Sequence, residues 1–320
     1  MLLRTVCFLL SLTTLCACGN LTSEVDPAVL GVGGEKLVVN SYISPQDTLL
    51  TVKVSRSKPA VSGSTTVQPF NVNNATVSLS DGSRSIVLKY NNLLEYYAAK
   101  PSLLPIRAGQ TYTLTATTPD GKQVTAQATV PASVPISAVA LDSVITSSAT
   151  EWKKTFRVSF AWEGLSAKTN YYAYCGYFSW NNKVSYRVAG QTQTAVPEVT
   201  ELTFPGENGT GNLLSDNNLS GKRLSSQSAE VTTLSLGKGE NNAATAIQHL
   251  TIGKSLPGAR LTLRLLNTDS FYYTYTSAVQ RQRQAGSNPF AEPVLIPTNI
   301  QGGLGCFAAY NRTEKVVVLK

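Results

Sequence analysis

Apolar residues recur at every second position through most of the chain. Leu50, Val52 and Val54 alternate with Thr51, Lys53 and Ser55, the pattern of a strand with one face in a core. Ala75, Val77 and Leu79 repeat it ahead of Asp81-Gly82, and Ile86, Leu88 and Tyr90 follow, which predicts a hairpin. Gly109 leads into Tyr112, Leu114 and Ala116, and Asp120-Gly121 turns the chain into Val124, Ala126, Ala128 and Val130. Upstream, Lys36 to Ser44 is apolar on both faces near its start, as suits a central strand. About seven short strands with a turn every eight to twelve residues predict an immunoglobulin-like β-sandwich over residues 36–132.

Pro131 and Pro135 bound a linker, and a larger antiparallel β domain is expected over 136–320. Phe156, Val158, Phe160 and Trp162 share one strand face. Tyr171 to Trp180 is aromatic on both faces, which favours a doubly buried strand over a ligand-stacking platform. Residues 205–225 and 236–244 are rich in Gly, Asn and Ser and read as loops, and Leu261, Leu263 and Leu265 mark another strand. One segment changes period. Phe271, Tyr275, Ala278 and Val279 form a helical stripe near 270–285, with Asp269 as its cap, Arg281 and Arg283 in its last turns and Gly286 as its stop. The fold class is all-β, with one short helix.

The N-terminus carries a different signal. Arg4 precedes an apolar run from Val6 to Leu15, too short for the roughly 20 residues a membrane-spanning helix needs. Leu15-Cys16-Ala17-Cys18-Gly19 is similar to the lipobox of bacterial lipoproteins. Residues 1–17 are therefore expected to be a signal peptide, Cys18 the lipidated residue, and 18–35 a tether to a lipid bilayer.

Charge narrows the partners. Lys and Arg total 27 against 19 Asp and Glu, a formal +8, but the excess is spread thinly and never forms a dense block interleaved with aromatics. A nucleic-acid footprint is not supported. Charged residues make up only 14% of the chain, and the polar positions are filled by Ser, Thr, Asn and Gln, as on exposed β faces. The one histidine, His249, excludes a multi-histidine metal centre built from one chain, and no phosphate-cradling glycine motif is present. No cofactor is expected.

Five cysteines fall to three once residues 1–17 are removed. With Cys18 held by lipid, Cys175 and Cys306 are either one disulfide or two separate buried thiols; the bond, closing the second domain on itself, is the expectation carried forward. Glu198, Glu201, Glu207 and Asp216 flank one loop-rich region. Their plain reading is solvated loop acids. A glycan-acting hydrolase would need two of them, Glu207 and Asp216 among the candidates, about 5–10 Å apart across a groove.

The C-terminal run supplies a resemblance. Asn267-Thr268-Asp269-Ser270-Phe271, then Asn288-Pro289-Phe290, Glu292-Pro293, Asn299-Ile300 and Gly302-Gly303-Leu304-Gly305-Cys306-Phe307 resemble the close of a Bacteroidota lipoprotein family known as domain of unknown function 4249. Leu37-Val38-Val39-Asn40 and Gly109-Gln110-Thr111-Tyr112 fit its earlier parts. Cys306 stands where an aliphatic residue is expected. The resemblance implies a cell-envelope lipoprotein with an immunoglobulin-like N-terminal domain, lipid-anchored at the outer membrane and facing the cell surface. It also implies association with a TonB-dependent receptor, and it carries no catalytic residues. Asp47-Thr48-Leu49 and Asp142-Ser143-Val144 resemble the phylum's O-glycosylation pattern, making Thr48 and Ser143 candidate acceptors. The expected function is a non-enzymatic accessory or binding lipoprotein for a glycan or other nutrient. The alternatives are the hydrolase and a structural or adhesive surface protein, the last distinguished by lacking a concave polar-aromatic pocket.

The N-terminal reading predicts that mass spectrometry of the membrane-extracted N-terminal peptide finds di- or triacylated Cys18. An unmodified terminus beginning at another residue contradicts it.

Overall fold

A computed structural model of the chain describes residues 35–57, 71–149, 151–165, 168–179, 184–188, 191–195, 199–205, 212–217, 221–237, 259–286, 292 and 294–319. The first half holds β1 (Leu37–Ile43), β2 (Leu50–Arg56), β3 (Thr76–Ser80), β4 (Ser85–Asn91), β5 (Tyr96–Ala99), β6 (Thr111–Thr117) and β7 (Gln123–Thr129). The second holds β8 (Ile136–Ser147), β9 (Glu151–Glu163), β10 (Tyr171–Ser179), β11 (Val184–Val188), β12 (Gln191–Ala195), β13 (Val199–Glu201), β14 (Leu213–Ser215), β15 (Arg223–Ser225), β16 (Ala229–Gly237) and β17 (Arg260–Thr268). Helix α1 (Ser270–Ala285) and β18 (Leu304–Val318) close the chain. The chain is all-β with one α-helix among the described residues, organised around two cores, as expected.

The alternating pattern becomes the first core directly. Leu37, Val39 and Ile43 of β1, Leu50, Val52 and Val54 of β2, Val77 and Leu79 of β3, and Leu114 and Ala116 of β6 point into it. The strands follow the path β1-β2-β5-β4-β3-β6-β7, and a bridge between Thr125 and Gln301 ties β7 back to the segment entering β18. Gly82, at φ +88°, makes the β3–β4 turn that Asp81-Gly82 predicts. Tyr112 fills a corner of this sandwich. Its ring is fully buried, while its hydroxyl donates to Pro105 O at 2.8 Å and accepts from Arg107 N at 2.9 Å, so the Gly-Gln-Thr-Tyr motif is a structural clasp.

In the second core β9 lies between β8 on one side and β15 and β16 on the other, and this sheet faces β10 and β17. Phe156, Val158, Phe160 and Trp162 meet Tyr172, Tyr174, Phe178, Leu261, Leu263 and Leu265. The rings of Phe160, Tyr174 and Phe204 cross at near right angles, 5.1 to 6.0 Å between centroids. Tyr171 and Tyr177, on the opposite face of β10, are half-buried: one packs on Tyr273 of α1 and the other under the Arg264 guanidinium. The Tyr171 end of that face is covered by helix rather than by a second sheet.

The division expected at 132–136 is crossed by β18. Its first half pairs parallel with β1, Val38 opposite Leu304 through Ile43 opposite Ala309, and its remainder pairs antiparallel with β17. One face of this strand therefore runs through the whole molecule. Phe307 and Ala309 enter the first core, Asn311 and Thr313 hold the linker, and Val317 packs on the second core. Asn311 Nδ2 donates to Pro131 O at 3.0 Å, Thr313 Oγ1 to Val134 O at 2.6 Å, and Asn267 Nδ2 of β17 to Ala132 O at 2.8 Å. The linker's carbonyls are thus satisfied by side chains rather than by a sheet.

The glycines around the start of β18 make this pairing sterically possible. Gly305 has φ +111°, and a Cβ built on it would lie 2.1 Å from Val39 O of β1; one on Gly303 would lie 2.6 Å from Leu37 O. Asn299 then clamps the strand, accepting from Phe307 N at 3.0 Å and donating to Phe307 O at 2.6 Å, as a paired strand would. Gly305→Ala is expected to lose about 3 kcal/mol or more in urea denaturation, against about 1 kcal/mol for Gly82→Ala, whose Cβ would meet nothing within 4 Å. Equal losses at the two positions would contradict the close-approach account.

Candidate functional site

Helix α1 roofs the outer face of the sheet where β1, β18 and β17 lie side by side. Asp269 caps it as predicted: Oδ1 accepts from Tyr272 N at 2.6 Å, and Oδ2 reaches across to Ala309 N of β18 at 2.7 Å. Gly286 ends the helix in a right-handed conformation, φ −62°, so its glycine freedom is not used there. The buried side of α1 is broader than the predicted stripe. Tyr272 packs edge-on against Tyr42 at 5.4 Å and against Tyr310 at 6.0 Å, and Tyr275 donates to Asn40 Oδ1 at 3.3 Å.

Beside this roof lies a concave site of about 260 Å³. β1 contributes Asn40 and Tyr42, β2 Thr51 and Lys53, β5 Tyr96, β18 Tyr310, and the β1–β2 loop Asp47. The strands supply alternate residues. While Leu37, Val39 and Ile43 enter the core, Asn40 and Tyr42 face outward, and Asn40 sits opposite Lys53 in the β1–β2 register. The loop is closed by Asp47, whose Oδ2 accepts from Ser44 N at 2.7 Å while its N–H returns to Ser44 O at 3.1 Å. Tyr310 donates to Asp47 Oδ1 at 3.2 Å. Gln46, next in the loop, ties it to β18 by donating to Asn311 Oδ1 at 3.0 Å and accepting from Arg312 N at 2.9 Å.

Burial sets the electrostatics. It pushes the Asp47 carboxyl up, against the pull of the Ser44 N–H, the Tyr310 hydroxyl and Arg312. Burial likewise raises Tyr310, with the Asp47 charge adding to the effect, and raises Tyr42, which is hydrogen-bonded to Cys306. Tyr272 is pushed up to about 12 by burial and by the nearby Cys175 and Cys306. At neutral pH these phenols are uncharged hydrogen-bonding groups. The site joins two acid–base characters: the carboxylate of Asp47 and the ammonium of Lys53.

A second, larger concavity of about 770 Å³ lies where the linker meets α1, lined by Val130 to Ala132, Lys168 to Tyr171 and Asn267 to Ser270. Asp269 stands in its wall.

The sequence-predicted residues scatter. Cys18, Glu198, Glu207 and His249 lie outside the described residues. Asp216 is fully buried, and both carboxylate oxygens are taken by Asn170, from its N at 2.6 Å and its Nδ2 at 2.8 Å. It is a structural brace, not the solvated loop acid expected, and it is not free for acid–base work on a glycan. Glu201 is exposed on β13. The expected disulfide is absent: Cys175 and Cys306 are free thiols. Cys175 stands opposite Arg264 of β17 and Cys306 opposite Asn40 of β1, so β17 separates their strands. Burial raises both thiols, Cys306 to about 12, which leaves them protonated and unreactive. Thr48 is exposed beside Asp47, and Ser143 is half-buried within β8. Among the described residues, no cluster of three or more His, Cys, Asp or Glu side chains could hold a metal, and no helix is long and apolar enough to cross a membrane.

The fold and this site define a class: an all-β protein with two cores threaded by one C-terminal strand, and a tyrosine-walled pocket beside its helix. The chain belongs to the family described as domain of unknown function (DUF4249), whose model matches residues 21–316. Comparison with curated proteins finds no match. Among solved structures, the chain is similar to trypsin-activated alpha-2-macroglobulin from Escherichia coli at 11% identity, covering 92% of this chain and 16% of that one, with a TM-score of 0.21. That likeness is too slight to inform the fold or the site.

Asp269 generates a pH prediction. Burial pushes its carboxyl up to about 6, outweighing the N–H groups of Tyr272, Ala309 and Phe271 that favour the charge. A folded-state value above the unfolded one gives stabilisation that is fully present below about pH 4 and lost as pH rises through about 6. Between pH 4 and 7 the native protein is expected to lose up to about 3 kcal/mol relative to Asp269→Asn. Urea denaturation of both proteins at each pH measures this; parallel curves would contradict it. The difference between the two proteins isolates Asp269 because Asp47 shifts in the same direction.

Proposed function

We propose that this protein is a non-enzymatic, lipid-anchored lipoprotein of the Bacteroidota outer membrane, displayed at the cell surface, that binds a small polar nutrient as accessory to a TonB-dependent receptor. The observation that carries the binding part is the tyrosine-walled pocket. It brings Asn40, Tyr42, Thr51, Lys53 and Tyr96 together with Asp47 and Tyr310 on an otherwise alternating surface. A purely structural or adhesive protein has no need of that concavity. The hydrolase reading is weakened by Asp216, whose carboxylate is committed to Asn170. Anchoring through Cys18 rests on the lipobox-like segment, and the receptor partnership on the family resemblance. Glycosylation at Thr48 would place a sugar on the exposed loop next to the pocket rim, and Ser143 is the second proposed acceptor.

Native purification of the tagged lipoprotein from detergent-solubilised outer membranes is expected to recover a large β-barrel receptor in stoichiometric amount. Recovery of the lipoprotein alone, together with glycan turnover abolished by Glu207→Gln, would overturn the proposal in favour of the hydrolase.

A further inference from the structure

The pocket holds two opposite charges that do not pair with each other. Asp47 has its oxygens on Ser44 N and the Tyr310 hydroxyl, and it makes no ion pair among the described residues. Lys53, exposed on β2, likewise makes none among the described residues, although both side chains line one concavity of about 260 Å³. Elsewhere on this chain Arg223 stands opposite Glu163 without an ion pair among the described residues, but other facing opposite charges close. Arg157 meets Glu230 at 2.7 Å, Arg264 meets Glu314 at 2.8 Å, and Arg56 meets Glu35. An unclosed pair across a pocket leaves one acceptor of cations and one of anions facing the same small volume.

The remaining walls fit a compact ligand with a polar head. Tyr42 and Tyr310 are braced by Tyr272 and present aromatic surface, and Tyr96 stands across from them on β5. Asn40 accepts from Tyr275 through Oδ1, leaving its amide as a neutral donor at the pocket wall. The volume is at the small end of ligand sites, which excludes an oligomer from full enclosure.

We propose that this pocket binds a small zwitterion of amino-acid size, its ammonium against Asp47 and its carboxylate against Lys53. The inference rests on the binding function proposed above and names its ligand class. A zwitterion compensates both charges at once, whereas a neutral sugar leaves Asp47 with only the charge of Arg312, which does not line the pocket, and a simple anion or cation serves only one end. The tyrosine surface and the Asn40 amide then face the ligand's side chain.

The test uses the mature chain with Cys18 replaced by Ser, and the twenty common amino acids offered singly at millimolar concentration. Ligand-observed nuclear magnetic resonance and thermal shift report binding. At least one amino acid is expected to bind saturably. Its N-acetyl derivative and its carboxamide are each expected to bind at least about tenfold more weakly. Asp47→Asn is expected to abolish discrimination against the N-acetyl form only, and Lys53→Met discrimination against the carboxamide only. This crossed pattern would not follow from general loss of folding, which circular dichroism of each variant checks. Failure of all twenty amino acids, or equal binding of the neutralised analogues, overturns the proposal. D-glucose binding that is lost in Tyr96→Ala would overturn the zwitterion class while leaving the binding function standing. Absence of a co-purified receptor bears on the accessory role and not on this ligand.

Discussion

Strand β18 is the element on which the rest depends. A parallel pair with β1 joins the start of the described chain to its end, and no short connection can do that; the whole intervening chain is the crossover. Residues 305 to 309 are buried on both faces, with Phe307 and Ala309 in the first core and Cys306 beside Tyr42 under the helix. The backbone must approach β1 closely here, and glycine at 303 and 305 is the steric condition for it, while Gly302 makes its close approach to Gln123 O of β7. The Gly-Gly-Leu-Gly run therefore marks a packing requirement rather than a phosphate-binding loop.

The same strand explains why the two cores are held together by polar groups. Between the Phe307–Ala309 pair and Val317, its inward face meets the linker, whose carbonyls need donors because no strand lies beside them. Asn311, Thr313 and, from β17, Asn267 provide these. Apolar residues at those positions would leave buried carbonyls unpaired, at about 1–3 kcal/mol each. Asp269 extends the arrangement by fastening α1 to Ala309. The helix beside the pocket and the strand that joins the cores are thus fixed to each other by one carboxylate.

Much of the fold was legible because the alternation is clean. Leu50, Val52 and Val54, or Phe156, Val158, Phe160 and Trp162, leave one face for the core whatever their neighbours are. The helix was legible from its change of period and from Asp269. The pocket was not. Asn40 and Tyr42 fall in a segment read only as a central strand, Lys53 in the polar alternation of its neighbour, and Asp47 in a glycosylation tripeptide. Tyr310, more than two hundred and fifty residues away, gives no local sign that its hydroxyl meets Asp47. Asp216 misled for the opposite reason. A carboxylate in a Gly- and Asn-rich stretch looks solvated until Asn170 is seen to occupy both oxygens.

Periodicity and capping, which act between residues a few positions apart, determined the strands, the turns and the helix. They could not determine which strands become neighbours, because pairing depends on the approach of segments distant in sequence. That approach placed β18 against β1, set Cys306 opposite Asn40 instead of near Cys175, and carried the linker onto the asparagines. It also assembled Asp47, Lys53 and the tyrosines into one concavity. Local rules act through the backbone of one segment; the pocket exists only because tertiary pairing stacks the outward faces of four strands side by side.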